Sequence, residues 1–226
     1  MSTRSHIPFP CGDCGSFKSS SSKGSRMSIL LPPTRRRMTG KRDKREAILK
    51  AMLDLIVERG FHNAPMSVLA KRSGASPGVI YHYFPSKDDL IHAVYERVAS
   101  IKHEIFFEGV SADEPPREAL LRVWLNAYRF YRSHRKETRF LDQYLNSSYC
   151  RTGAEAAAKF AHPESARILK WLQPKKNGGI LRDLPTEAID SLTLGLAASL
   201  AKAPKPFSNA TLKDIADTVW NAIADE

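Results

Sequence analysis

The sequence predicts an all-α protein, built as an N-terminal three-helix domain with a helix-turn-helix followed by a larger C-terminal helical bundle. Three observations carry this. From Lys41 onward, apolar residues return every three or four positions. Glycines and prolines fall at the ends of those periodic runs rather than inside them. No stretch shows the strict alternation of a half-buried strand, and no internal repeat is present. With 226 residues, 42% of them hydrophobic, the chain is long enough for a small domain plus a larger one.

Residues 1–40 read as a disordered basic leader. SFKSSSSKGSRMS is Ser-rich and LPPTRRR is rich in Pro and Arg, so neither can bury enough apolar surface to offset its ordering entropy. Met27 and Met38 are alternative starts within it. The helix-turn-helix domain is expected over residues 41–88. KREAILKAMLDLIVERG places Ile48, Ala51, Met52, Leu55 and Ile56 on one stripe and stops at Gly60. APMSVLAKRSG forms a second, short helix with Pro65 in its first turn and Gly74 at its end. SPGVIYHYF forms a third, capped by Ser76, with Pro77 at its first position and Pro85 as its stop. Ser86 caps a fourth helix, and Asp89 completes an S-x-x-D capping box. In residues 89–226, helices are expected in PPREALLRVWLNAYRFYRSH, in KETRFLDQYLNSSYC and from Glu164 to Leu172. The last two are expected in LPTEAIDSLTLGLAASLAKA and SNATLKDIADTVWNAIADE.

The formal net charge is +11, and such a basic excess suits an anionic partner. Over half of it lies in residues 1–40, where seven Lys/Arg face one acid, giving +6. The global balance is therefore partly a property of the leader. No apolar run is long enough to span a membrane, and the first 25 residues lack a signal peptide's apolar core. Three cysteines give no disulfide framework, so a cytoplasmic setting is expected. Cys11 and Cys14 form a CxxC without a second ligand pair, and His103, His134 and His162 lack metal-ligand spacing, so neither metal nor cofactor is expected. There is no Gly-rich phosphate loop after a strand, no G-x-S-x-G and no H-E-x-x-H, so nothing points to an enzyme.

Two short helices joined across Ser73 to Ser76 make a helix-turn-helix. On a helical wheel Ile80 and Phe84 share the inner face, while Gly78 and His82 point the other way with Val79, Tyr81 and Tyr83 beside them. From Arg59 to Lys87 there is no Asp or Glu, while Arg59, Lys71, Arg72 and Lys87 fall in that window. A polyanion requires such a window, because phosphate repels carboxylates. Gly78 then lets the backbone approach a duplex, and Val79 and His82 face base edges in the major groove. Tyr81, Tyr83 and Lys87 hold phosphates, with Ser76 at the helix start and Arg42 and Arg45 as further phosphate candidates. The alternative is an ordinary helix of a compact domain and a solvated charge run. The Arg35, Arg36, Arg37 run reads equally as a flexible basic arm for DNA or as a neutral tail.

These residues resemble the DNA-binding domain of the TetR family of transcriptional regulators. The likeness covers residues 42–95, about a quarter of the chain. It rests on Ile48, Leu49, Gly60, Phe61, Leu69, Ala70, Gly74, Ala75, Ser76, Gly78, Ile80, Tyr81, Tyr83, Phe84, Ser86, Lys87 and Leu90. It implies a recognition helix in the major groove and a homodimer on a palindromic operator. It also implies a C-terminal domain whose last two helices pair across the dimer axis and which often holds a small-molecule effector. The chain departs from the family pattern at Ala64 and Pro65, where Thr or Ser is usual. Proline has no N–H to offer a phosphate, leaving Asn63 or Ser67 as substitutes.

In the C-terminal domain Trp124, Tyr128, Gln143 and Tyr144 are the candidate effector-binding residues, grouped with Tyr131, Phe140, Tyr149, Asn126, Asn146 and Cys150. An aromatic pocket with a few polar groups is one arrangement, and plain bundle core is the other. Gly195, Ala198 and Ser199 on one helix, and Leu212, Ile215, Val219 and Ile223 on the next, are expected at a dimer face or in the chain's own core. The function that follows is a homodimeric repressor of transcription released by a small molecule. The alternative is a ligand-insensitive DNA-binding dimer, and a helical partner-binding module is a weaker third.

Overall fold

The computed structural model describes residues 36–150 and 163–225. Among these residues the protein is helical, with two isolated bridges and no strand. The leader's Cys11, Cys14 and Arg35, together with His162, lie outside the described residues.

Helix α1 spans Arg36–Arg59, α2 Met66–Ser73, α3 Pro77–Tyr83 and α4 Lys87–Phe106. Helix α5 spans Pro116–Ser133, α6 Arg135–Leu145 and α7 Pro163–Trp171. A 3₁₀ turn, Lys175–Asn177, precedes α8 (Thr186–Asp190), which passes through a π-helical segment, Ser191–Gly195, into α9 (Leu196–Leu200). The chain closes with α10 (Asn209–Ile223).

Three features differ from the sequence expectation. Helix α1 begins at Arg36, so residues 36–40, assigned above to a disordered leader, are helical. Once the turns around Ile48 and Leu49 are fixed in the core, adding helical turns on the N-terminal side carries no further nucleation cost. Pro65 is the N-cap of α2, in extended conformation, rather than a residue of its first turn. The helix expected over 184–203 is interrupted by the π segment. There Thr193 Oγ1 donates to the Ile189 carbonyl at 2.7 Å and Ser191 Oγ to the Glu187 carbonyl at 2.7 Å. Hydroxyls that compete for ladder carbonyls favour such a local widening.

One apolar core runs through the whole described chain. Helix α1 packs on α2, α4 and α6, and α5 packs on α4, α9 and α10. Helix α4 is shared: a boundary at residues 88 and 89 falls inside its first turn, with no linker there.

Candidate nucleic-acid interface

The helix-turn-helix is fixed by its end chemistry. Gly74 takes φ 62°, a left-handed conformation that costs glycine little, and so terminates α2. The Lys44 ammonium donates to the Gly74 carbonyl at 2.9 Å, holding the turn against α1. Ser73 Oγ donates back to the Leu69 carbonyl at 2.8 Å, which keeps this buried hydroxyl satisfied. Ser76 caps α3 through the Val79 N–H at 3.4 Å, and Pro77 occupies the first turn. Phe84 closes α3 in extended conformation, as a residue before proline must.

Helix α3 is seven residues long and two-faced. Ile80 and Phe84 are buried. Gly78, Val79, Tyr81 and His82 are exposed. Val79 at 38% and Tyr81 at 48% are two of the three exposed large hydrophobic residues among the described ones. A Cβ built on Gly78 meets nothing within 4 Å, so the protein's own packing does not demand glycine there. Tyr83 is half-buried, its ring 5.5 Å from His82 and 6.3 Å from Phe84. It sits at the edge of the outer face.

At the start of α4 the Ser86 hydroxyl accepts from the Asp89 N–H at 3.0 Å and donates to the Asp89 carboxylate at 2.7 Å. The expected cap is present, with the carboxylate engaging the hydroxyl. The next residue has a partner within the chain. Half-buried Lys87 donates to the Phe61 carbonyl at 2.8 Å. That carbonyl follows Gly60, whose φ of 77° ends α1. Its ring packs in the C-terminal bundle, 6.0 Å from Phe140, 6.4 Å from Tyr144 and 5.1 Å from Tyr149.

The other basic residues divide. Arg72 pairs with Glu58 at 2.7 Å, and its guanidinium holds that exposed carboxyl below the usual carboxylate range. Arg59 and Lys71 stand exposed on the same unit. Arg45 lies with its guanidinium 5.3 Å from the Phe84 ring centroid, at the end of α3. Ser67 is exposed on α2. Arg42 is on α1, but its side chain lies outside the described residues. Sequence reasoning missed Lys44 and Phe61 as supports of the turn. Both act through backbone carbonyls distant in sequence, for which no local pattern exists.

The four effector candidates occupy packed positions. Trp124 is buried and donates from Nε1 to the Thr193 carbonyl at 3.0 Å. Tyr128 is buried and its hydroxyl accepts from the Phe207 N–H at 3.3 Å. Tyr144 bonds His92 Nδ1 at 2.9 Å and stacks on Tyr95 with ring centroids 4.3 Å apart. Gln143 has a buried Oε1 without a partner among the described residues. The apolar cavity of this bundle measures about 30 Å³ and is lined by residues including Trp124, Leu172, Leu181 and Thr193. Of the four candidates, Trp124 lines this cavity.

Comparison with known proteins shows where these features recur. Residues 48–94 match the family described as bacterial regulatory proteins, tetR family. The chain is 36% identical over 86 residues to the fatty acid metabolism regulator protein of Bacillus subtilis, covering 38% of this chain and 44% of that protein. It is 27% identical over 127 residues to the HTH-type transcriptional regulator BetI of Stenotrophomonas maltophilia, covering 55% and 59%. The chain thus spans about half the length of these curated relatives. Among solved structures, a TetR family transcription regulator from Marinobacter aquaeolei superposes with TM-score 0.71 at 20% identity, covering 84% of this chain and all of that one. A TetR-family regulator from Haemophilus influenzae superposes with TM-score 0.60 at 23% identity, covering 82% and 99%. At those identities the likeness establishes the fold.

Proposed function

We propose that this chain, which belongs to the TetR family of bacterial transcriptional regulators, binds a palindromic operator as a homodimer and represses transcription until a small molecule releases it. The observation that carries the DNA-binding part is the outer face of α3. It presents Gly78, Val79, Tyr81 and His82 to solvent, within a segment from Arg59 to Lys87 that holds no Asp or Glu, and Glu58 just before it is tied to Arg72. Val79 and His82 read base edges. Tyr81, Tyr83, Ser76, Ser67 and Lys87 hold phosphates, with Arg45 and Arg42 beside them on α1. In a dimer the two α3 helices sit about 34 Å apart or a multiple of it.

The stripe on the last helix, expected at a dimer face or in the chain's own core, points largely inward. Leu212, Val219 and Ile223 are buried in the chain's own core and Ile215 is half-buried. What remains outward on the preceding helices is Leu192, exposed at 40%, followed by Leu196 and Ser199 at helical spacing. Gly195 among them permits close approach of a partner helix.

The second reading, a dimer indifferent to ligand, is favoured by one observation. A cavity of about 30 Å³ is a tenth or less of the 300 Å³ or more that ligand sites occupy. The deciding experiment measures binding to a labelled duplex from upstream of the protein's own gene against a scrambled duplex, across a salt series. His82→Ala should erode discrimination, and Lys87→Ala should weaken both duplexes. Indifference of the wild type to sequence, for this duplex and for any recovered by random-sequence selection, would refute the regulator reading.

A further inference from the structure

Lys87 is bonded to the chain's own backbone as well as facing the proposed interface. Lys87 is the first residue of α4, four positions after the last residue of α3. Its ammonium has three N–H groups, and one is committed to the Phe61 carbonyl at 2.8 Å. Two remain for a phosphate. The carbonyl therefore acts as a fixed post that holds the lysine at the corner between α3 and α4. A loose lysine would lose more side-chain freedom on binding DNA.

A backbone carbonyl cannot be substituted, so its position depends on what holds Phe61. Gly60 ends α1 with φ 77°, and the Phe61 ring is then clamped by Phe140 and Tyr144 of α6 and by Tyr149 just beyond it. Lys136 in the first turn of α6 is also paired to Asp54 of α1, so the start of α6 is tied to α1 beside this joint. Tyr144 in turn stacks on Tyr95 of α4. The same residue thus touches the C-terminal aromatic cluster with its ring and the DNA-facing lysine with its carbonyl.

We propose that Phe61 is a positioning residue for the duplex, setting the phosphate grip of Lys87 according to how α6 packs. This rests on the DNA-binding reading above and names how the C-terminal domain reaches that surface. A ligand, a partner or a substitution that moves α6 by a fraction of a ring diameter moves the Phe61 carbonyl, and Lys87 goes with it. No contact between DNA and Phe61 is required.

The test is a double-mutant cycle on the full chain, read as the salt dependence of affinity for a duplex recovered from a random-sequence pool by the wild type. The variants are Phe61→Leu, Lys87→Gln and the pair, with Tyr149→Leu as a milder disturbance of the same ring. Each lysine that releases a phosphate counterion contributes about 0.9 to the slope of log K against log salt. Lys87→Gln is expected to lower the slope by that amount per protomer. Phe61→Leu is expected to lower it nearly as far and to weaken binding about three- to tenfold, with little further change in the pair. Tyr149→Leu should move in the same direction. A Phe61 whose role is only to fold the domain would reduce the active fraction, shifting every salt point by one factor and leaving the slope intact. An unchanged slope in both Phe61→Leu and Tyr149→Leu, or additive effects in the pair, would overturn the proposal. So would a slope unmoved by Lys87→Gln. Failure of the wild type to enrich any duplex would remove the DNA-binding reading itself.

Discussion

Gly78→Ala separates two explanations of α3 because both predict a more stable free protein and only one predicts a lower affinity for a duplex. The residue is exposed near the start of the helix, has no left-handed φ, and a Cβ there meets nothing within 4 Å. In the free protein alanine should therefore stabilise by about 0.5–1 kcal/mol, through reduced freedom of the unfolded chain. For a chain of this size that raises Tm by about 1–4 °C. On the duplex the same methyl stands on the face that must approach the groove. Loss of close backbone approach should weaken specific binding by about tenfold or more, roughly one good base contact. The assay is a thermal melt of the free protein paired with a titration against specific and scrambled duplexes. If Gly78→Ala raises Tm and binds the specific duplex as well as the wild type does, α3 does not enter a groove by this face.

Other expected outcomes follow from single observations. Leu192→Lys should shift the protein toward monomer in sedimentation, since a two-fold contact introduces the charge twice; an unchanged mass would move the dimer face elsewhere. Ser76→Ala removes the α3 cap and should cost about 1 kcal/mol in denaturant unfolding. Burial depresses the Lys102 ammonium below the ordinary lysine range, with Asp190 opposing the shift. A depressed lysine makes the unfolded chain bind more protons, so this residue destabilises at neutral pH, and stability is regained as pH rises through the folded pKa toward the unfolded one. Lys102→Met should accordingly raise Tm most at neutral pH and progressively less toward pH 10, and a pH-independent difference would refute that account.

The parts of the fold legible in the sequence are those fixed by local chemistry. Gly74, Ser76, Pro77, Pro85 and Ser86 each impose a backbone state on their own neighbourhood, and the turn and the third helix follow. The inner pair Ile80 and Phe84 follows from helical spacing alone. What was not legible depends on partners far along the chain. The register of Lys87 on Phe61 spans 26 residues, and that of Lys44 on Gly74 spans 30. The π segment needs Thr193 and Ser191 to be oriented so that their hydroxyls turn back on the helix. The aromatic positions of α5 and α6 carry the same spacing whether they line a pocket or fill a core. Only packing separates these, and among the described residues Trp124, Tyr128 and Tyr144 are buried.

The sharing of α4 constrains how any signal can travel. Helix α4 leaves the helix-turn-helix at Lys87 and runs without a break to Phe106, packing on α1, α5 and α6 along the way. Leu90, Ile91 and Val94 are already buried within its first turns. A hinge between two rigid bodies needs a few residues free to change φ and ψ, and α4 offers none between Lys87 and Phe106. Along α4 the α3 face is therefore joined to the bundle without an intervening hinge. It must respond through small shifts of packed elements, which interiors transmit because they are dense. Contacts placed to carry such shifts include the Phe61 ring among Phe140, Tyr144 and Tyr149, the Asp54–Lys136 pair and the Glu46–Arg97 pair. If that is how the halves communicate, Lys136→Ala, which frees one end of α6 without touching the core, should alter duplex affinity while leaving the specific-to-scrambled ratio in place. A change in the ratio instead would mean that α6 acts on base reading by α3 rather than on the phosphate grip at Lys87.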